Sequence, residues 1–166
     1  MTVRWRREAP QRIREHDTLD RVDYADTFAG LASAPLALTP AAWAQALGPS
    51  APWRMRLIVR AAHLVQRRVL GLRLDPRHAA NHVLGWRLAD AGDHWFRMEA
   101  AGWLGQAHLV FHMDGDEVCI GTLLRYDHRM AAIVWAPVSL LHRQVGLALL
   151  RYLITAPAVT AGPRAA

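Results

Sequence analysis

The stretch AHLVFHMDGDEVCIGTLLRYDH, Ala107 to His128, alternates apolar and polar residues on both sides of Asp114-Gly115. Alternation with period two marks a half-buried strand, and an Asp-Gly pair between two such runs marks a hairpin. With Asp114-Gly115 as the turn, Met113 pairs with Asp116 and Phe111 opposes Val118. Leu109 then opposes Ile120, Ala107 opposes Thr122, Gly105 opposes Leu124 and Trp103 opposes Tyr126. One face is apolar apart from the hydroxyls of Thr122 and Tyr126. On the other, His112 opposes Glu117 and Leu104 opposes Arg125. Register is well specified when one face sorts this cleanly.

The hairpin decides the fate of His108 and His112, which on a helix would share one face. In a strand they stand roughly 13 Å apart, at about 3.3 Å per residue, too far to share one ion. HLVFH also lacks the Glu that follows the first His in the helical zinc motif. DGDE lacks the spaced oxygen ligands of a calcium loop. No metal site is expected.

The same alternation runs from His82 to Ile133, through VLGWRLAD, HWFRMEA, WLGQAHLVFHM, DEVCIGTLLRYD and RMAAIV, an antiparallel meander of about five strands. With a turn at Ala101-Gly102, His94, Phe96 and Met98 join the apolar face, and Trp95, Arg97 and Glu99 join the outer one. One register is open. A three-residue loop Ala91-Gly92-Asp93 turns Leu84, Trp86 and Leu88 inward, and a two-residue loop turns Arg87 inward instead. Apolar content favours the first.

Around the meander the pattern is helical. DTLDRVDYADTFAG, with Leu19, Val22, Tyr24 and Phe28, reads as a first strand, followed by the two-proline linker SAPLALTP. Thr39 can cap a short helix with Pro40 at its first position and AAWAQAL as its body. Trp53 to Leu72 is the clearest helix, with Gly71 as its stop. Arg56, Arg60, His63 and Arg67 form its polar stripe, and Ile58, Ala61, Ala62, Val65 and Val69 lie opposite. The stripe suits either a solvated face over a sheet or an anionic partner. A last helix is expected from about Pro137 to Ile154, with Leu141, Val145, Ala148, Leu149 and Tyr152 as its apolar face. Residues 1–16 read as a loose basic arm, 17–155 as one domain and 156–166 as a frayed tail.

Composition narrows the partners. The chain has 166 residues, 52% hydrophobic and 20% charged, which suits one domain with a real core. Its formal charge is +6, and all 20 basic residues are Arg. Residues 1–16 carry +3 and residues 53–77 carry +6, while the remainder carries −3. Basic residues are not interleaved with aromatics on a recognisable module, so nucleic-acid binding is not expected. The single Cys119 excludes an internal disulfide and a Cys-based zinc cluster. The N-terminus does not read as a signal peptide, and MAAIVWAPVSLL is cut short by His142 and Arg143. A cytoplasmic protein is expected.

The order strand, two helices, antiparallel meander, long last helix resembles the α+β helix-grip superfamily of START, Bet v 1 and polyketide-cyclase-like domains. More narrowly, the chain is similar to a bacterial family catalogued as domain of unknown function 2867. The resemblance rests on DYADTF (Asp23–Phe28), the helix ending in LGL, GTLLRYD with Thr122, and LLHR with His142 and Arg143. It covers roughly residues 18–155. Members often close on Pro-Phe-His-Arg, where this chain has Leu140-Leu141 before His142. The resemblance implies a curved sheet around the last helix with an apolar cavity between them. The Gly-rich dinucleotide loop of reductases that carry this domain is missing, so no cofactor is expected.

The expected function is binding of a small apolar molecule by Trp86, Phe96, Met98, Trp103, Phe111, Thr122, Tyr126, His142 and Tyr152. Trp86 and Trp103 would line the cavity or simply fill the core. Thr122 and Tyr126 would meet a ligand or backbone. His94 would be a core histidine or a catalyst. His142 and Arg143 would hold an anionic group at the mouth or sit on a solvated face. Two other functions stay open: a peripheral protein whose basic helix meets anionic lipid, and an enzyme of the cyclase or hydratase kind, for which no catalytic set is visible.

Overall fold

The computed structural model describes residues 2–32, 36, 39–49, 51–76 and 81–156. The linker residues 33–35 and 37–38 and the tail residues 157–166 lie outside the described residues.

The fold is α+β, a seven-stranded antiparallel open sheet with four helices. The strands are β1 (Val3–Arg6), β2 (Tyr24–Leu31), β3 (His82–Val83), β4 (Trp86–Ala91), β5 (Trp95–Ala101), β6 (Gly105–Asp114) and β7 (Glu117–Tyr126), in spatial order β1-β2-β7-β6-β5-β4-β3. The helices are α1 (Gln11–Arg14), α2 (Pro40–Ala46), α3 (Trp53–Arg68) and α4 (Ala131–Leu153).

The central hairpin is β6–β7, with both faces as the alternation predicts. Its pairs are displaced by two residues: Asp114 pairs with Glu117, Phe111 with Ile120 and Leu109 with Thr122. The turn residues are Gly115 and Asp116, and Gly115 has φ 57°. That places Gly at the first central position, as a type II′ turn requires. An even displacement leaves every side chain on its expected face. His108 and His112 accordingly lie on strand β6. In β4, a register shift between Leu88 and Asp90 absorbs the disputed residue, and Arg87 pairs outward with Glu99. Trp86 and Leu88 belong to the main core, as the three-residue loop predicts. His94 is exposed in the turn before β5, not on the inner face.

Three boundaries depart from expectation. Residues 2–16 are not a loose arm. Val3–Arg6 pair with β2, and Ala9 and Ile13 bury themselves on the outer sheet face beside Val110, Cys119 and Leu123. Gly121 makes room, since a Cβ there would stand 2.3 Å from Ile13 Cγ2. Arg12 is bound by Glu117, and Arg97 donates to the His16 carbonyl at 2.5 Å. RMAAIV is not a strand; α4 starts at Ala131 and carries Pro137 inside it. A short apolar run fits either structure, and here its flank packs as helix. α3 ends at Arg68, with Gly71 (φ 63°) just beyond.

The main core lies between the inner sheet face and α2, α3 and α4. Thr39 caps α2 as expected, its hydroxyl accepting from the Ala42 amide at 3.1 Å. α3 turns Met55 and Val59 to the core and leaves Leu57 and Leu64 exposed, a rotation from the expected stripe. His63 leaves that stripe, because its two ring nitrogens meet the carbonyls of Val59 (2.8 Å) and Leu84 (2.5 Å). Ala61 and Val69 are exposed instead of packed. α4 is long and apolar enough to cross a membrane by length and composition, contrary to expectation. In this fold its Trp135, Gly146, Leu150 and Leu153 are buried in the domain core. Gly146 permits the approach, since a Cβ there would stand 2.4 Å from Phe28 Cζ.

Candidate functional site

Between the inner sheet face, α3 and α4 lies a cavity of about 170 Å³. The sheet supplies Trp86, Met98, Phe111 and Thr122; α3 supplies Val59 and His63. α4 supplies Trp135, His142, Val145 and Leu149. Leu141 also lines it and is 49% exposed, so the cavity opens beside α4. The wall is almost wholly apolar, because strand alternation sends the inward residues of β2 to β7 to this side.

Of the expected ligand residues, Trp86, Met98, Phe111, Thr122 and His142 come together here. The others do not line it. Phe96 is buried behind the wall, stacked on Phe111 at 4.4 Å and edge-on to Trp43. Trp103 is 57% exposed, because the loop after β5 carries it past Gly71 towards His128. Tyr126 borders a smaller hollow of about 40 Å³ with Leu104 and Trp135. Burial, then the charge of Asp23, pushes its phenol up to about 12. Tyr152 donates its hydroxyl to the Ala46 carbonyl at 3.0 Å. Arg143 lies over the Trp5 ring at 4.1 Å and does not line the cavity.

The expected residues Thr122 and His142 are a polar part of the wall, and behind them stands Asp26, which sequence reading missed. Asp26 sits in β2 opposite Thr122 in β7. It is 0% exposed and accepts from Trp5 Nε1 (3.1 Å), Tyr24 Oη (2.7 Å) and His142 Nε2 (3.4 Å). Thr122 Oγ1 stands 3.1 Å from the same His142 nitrogen. Burial pushes the Asp26 carboxyl up, but the hydrogen bond and charge of His142, with the Tyr24 and Trp5 donors, outweigh it. The group titrates below the ordinary aspartate value. Burial, and then the bond to Asp26, pushes the Tyr24 phenol far up, so it remains a donor. An ionised carboxylate only accepts, which assigns the proton to Nε2 of His142.

A signal for Asp26 existed. It shares parity with Tyr24 and Phe28 in DYADTF, so the strand that turns Phe28 inward must turn Asp26 inward too. A buried carboxylate needs partners. His142, 116 residues away, arrives only when α4 crosses the sheet.

Two further polar atoms of the wall residues, Trp135 Nε1 and Gln66 Oε1, are buried with no hydrogen-bond partner among the described residues. His63 offers no free nitrogen, because carbonyls occupy both. Among the described residues no group of three or more His, Cys, Asp or Glu side chains is placed to hold a metal ion. Comparison with protein-family models, curated proteins and solved structures gives no match.

Proposed function

We propose that this protein binds a small, mostly apolar molecule in the cavity between the sheet and α4, with one polar group of the guest held by Thr122 and His142. The observation that carries the reading is the apolar cavity of about 170 Å³ with these two polar side chains in its wall. Apolar sites with a few placed polar groups are the usual form of small-molecule pockets. The volume is close to that of an engineered cavity of about 150 Å³ that takes up benzene. It suits a guest of one or two rings. The unpartnered Trp135 N–H and Gln66 carbonyl are further polar handles. The topology, with β2 beside β7 and α4 over the inner face, is consistent with a helix-grip domain of the kind found in domain of unknown function 2867. A cytoplasmic setting completes the reading, with the unpaired, buried Cys119 compatible with a reducing compartment. Native mass spectrometry of the protein from its own host tests it. A copurified small molecule, lost on denaturation, is expected; a bare chain mass from gently purified protein contradicts it.

A second reading has an observation of its own. α3 leaves Trp53, Leu57 and Leu64 exposed, at 64%, 59% and 60%, beside Arg54, Arg56, Arg60 and Arg67. Exposed large apolar side chains among arginines suit an anionic bilayer surface.

A further inference from the structure

Resting on the cavity as a ligand site, we propose that Asp26, His142 and Thr122 form a proton-transfer site for a small carbonyl compound with a C–H beside its carbonyl. Three observations converge. Asp26 is fully buried and accepts from three donors, an expensive group to keep unless its charge has a use. Asp26 and Thr122 both contact Nε2 of His142. With the proton on Nε2, the lone pair lies on Nδ1, which has no hydrogen bond among the described residues. The ring itself lines the cavity. His63, the other histidine of the wall, has both nitrogens occupied by carbonyls.

The geometry also selects the chemistry. In a nucleophilic triad, the acid and the hydroxyl bind opposite nitrogens of the imidazole. Here they share one, so His142 cannot take the Thr122 proton while Asp26 holds the far side. A base on Nδ1 that faces an almost wholly apolar cavity is suited instead to take a proton from a carbon of the guest. His142 Nδ1 takes the proton, and the C–H electron pair becomes the C=C of an enolate as the carbonyl pair moves onto oxygen. Thr122 accepts from Nε2–H, so its own O–H is available to donate to that oxygen. Asp26 stabilises the imidazolium and acts as a positioning residue. The proton returns to the same carbon or to a conjugated one. No oxidant, reductant or second reactant is consumed.

The probe is 2-indanone in heavy water. Loss of its acidic C–H signals is followed by proton NMR, and its binding by fluorescence of Trp86 and Trp135. Exchange should rise above the buffer rate and saturate at the affinity read by fluorescence. His142→Gln should remove the acceleration by about a hundredfold or more, a loss much larger than the modest fall in affinity expected from losing one polar contact to the guest. Asp26→Asn should lower exchange with affinity kept, and should shift the ¹⁵N spectrum of His142 away from the Nε2–H tautomer. If Asp26→Asn does not fold, Thr122→Val gives the second arm, and a loss of about tenfold or more is expected. Binding with exchange at the buffer rate, or acceleration that survives His142→Gln, overturns the proton-transfer site and leaves the binding reading standing. Absence of any 2-indanone binding overturns the binding reading, and this inference with it.

Discussion

Gly146 of α4 lies against the ring of Phe28 in β2, so close that a Cβ would stand 2.4 Å from Cζ and 2.6 Å from both Cε atoms. One turn earlier, the same helix carries His142 to Asp26 and Thr122. The approach of backbone to ring therefore sets the height of α4 over the sheet and the reach of the imidazole.

Gly146→Ala should lift that contact. Phe28 is buried and cannot swing aside, so the change overpacks the core at about 1–3 kcal/mol. A domain of this size should melt roughly 2–4 °C lower per kcal/mol. Thermal denaturation followed by circular dichroism reads it. An unchanged melting temperature would mean that α4 does not sit on Phe28.

Acid should act through Asp26. Its folded pKa lies below its unfolded value, so its contribution to stability is present above about pH 4 and is lost as pH falls through the folded value. Asp26→Asn should cost about 3–5 kcal/mol near neutrality, because it leaves a built charge site unanswered. The gap between parent and variant should narrow below about pH 4. Denaturant titrations at a series of pH values measure it, and a constant gap would contradict an ionised Asp26.

The outer face should loosen at mildly acid pH. His16 stacks on Trp95 at 3.9 Å and lies 5.6 Å from the ring of His112. Burial lowers both histidines, with Arg97 adding to the effect on His16, and His16 and Arg12 adding to it on His112. For a histidine whose folded pKa is depressed, stability is full above about pH 6.5 and is lost as pH falls through the folded value. The protection of the amides in residues 9–16, measured against their intrinsic exchange rates, should therefore fall between pH 7 and 5, and the double change His16→Gln, His112→Gln should flatten that dependence. Exchange that tracks only the intrinsic pH effect would refute the coupling.

The exposed side chains of α3 predict a membrane response. Vesicles with a third of anionic lipid should retain the protein in flotation at low salt and release it at high salt. Leu57→Ser with Leu64→Ser should weaken retention at fixed charge, and neutral vesicles should retain little. Equal flotation with neutral vesicles, or none with anionic ones, removes the bilayer reading.

Much of the sheet was legible because strand faces depend only on parity. The β6–β7 pairing differs from expectation by two residues, yet Thr122, Phe111 and Leu109 keep their side. What failed was set by distant partners. Trp103 left the inner face because its loop joins Gly71 and His128. His63 left the solvated stripe because the Leu84 carbonyl, 21 residues on, accepts it. Ile13 became core because Gly121, more than a hundred residues away, leaves it a socket. Asp26 had the right parity but was passed over because its charge argued for water, and its partners Trp5 and His142 come from β1 and α4, elements that meet it only in the fold. Ala148, expected on the apolar face of α4, does not line the cavity, which is walled instead by Trp135, Val138, His142, Val145 and Leu149.

The cavity itself is tested most directly by filling it. Ala62 of α3 lines the space and is only half-buried, so a larger side chain there enters the cavity without cutting into packed core. Isothermal titration of indane into the parent protein and into Ala62→Phe measures the claim. The account predicts saturable binding to the parent, none to the variant, and melting temperatures that agree within a few degrees. A parent that binds nothing, with a variant destabilised by the roughly 1–3 kcal/mol of an overpacked core, would contradict it.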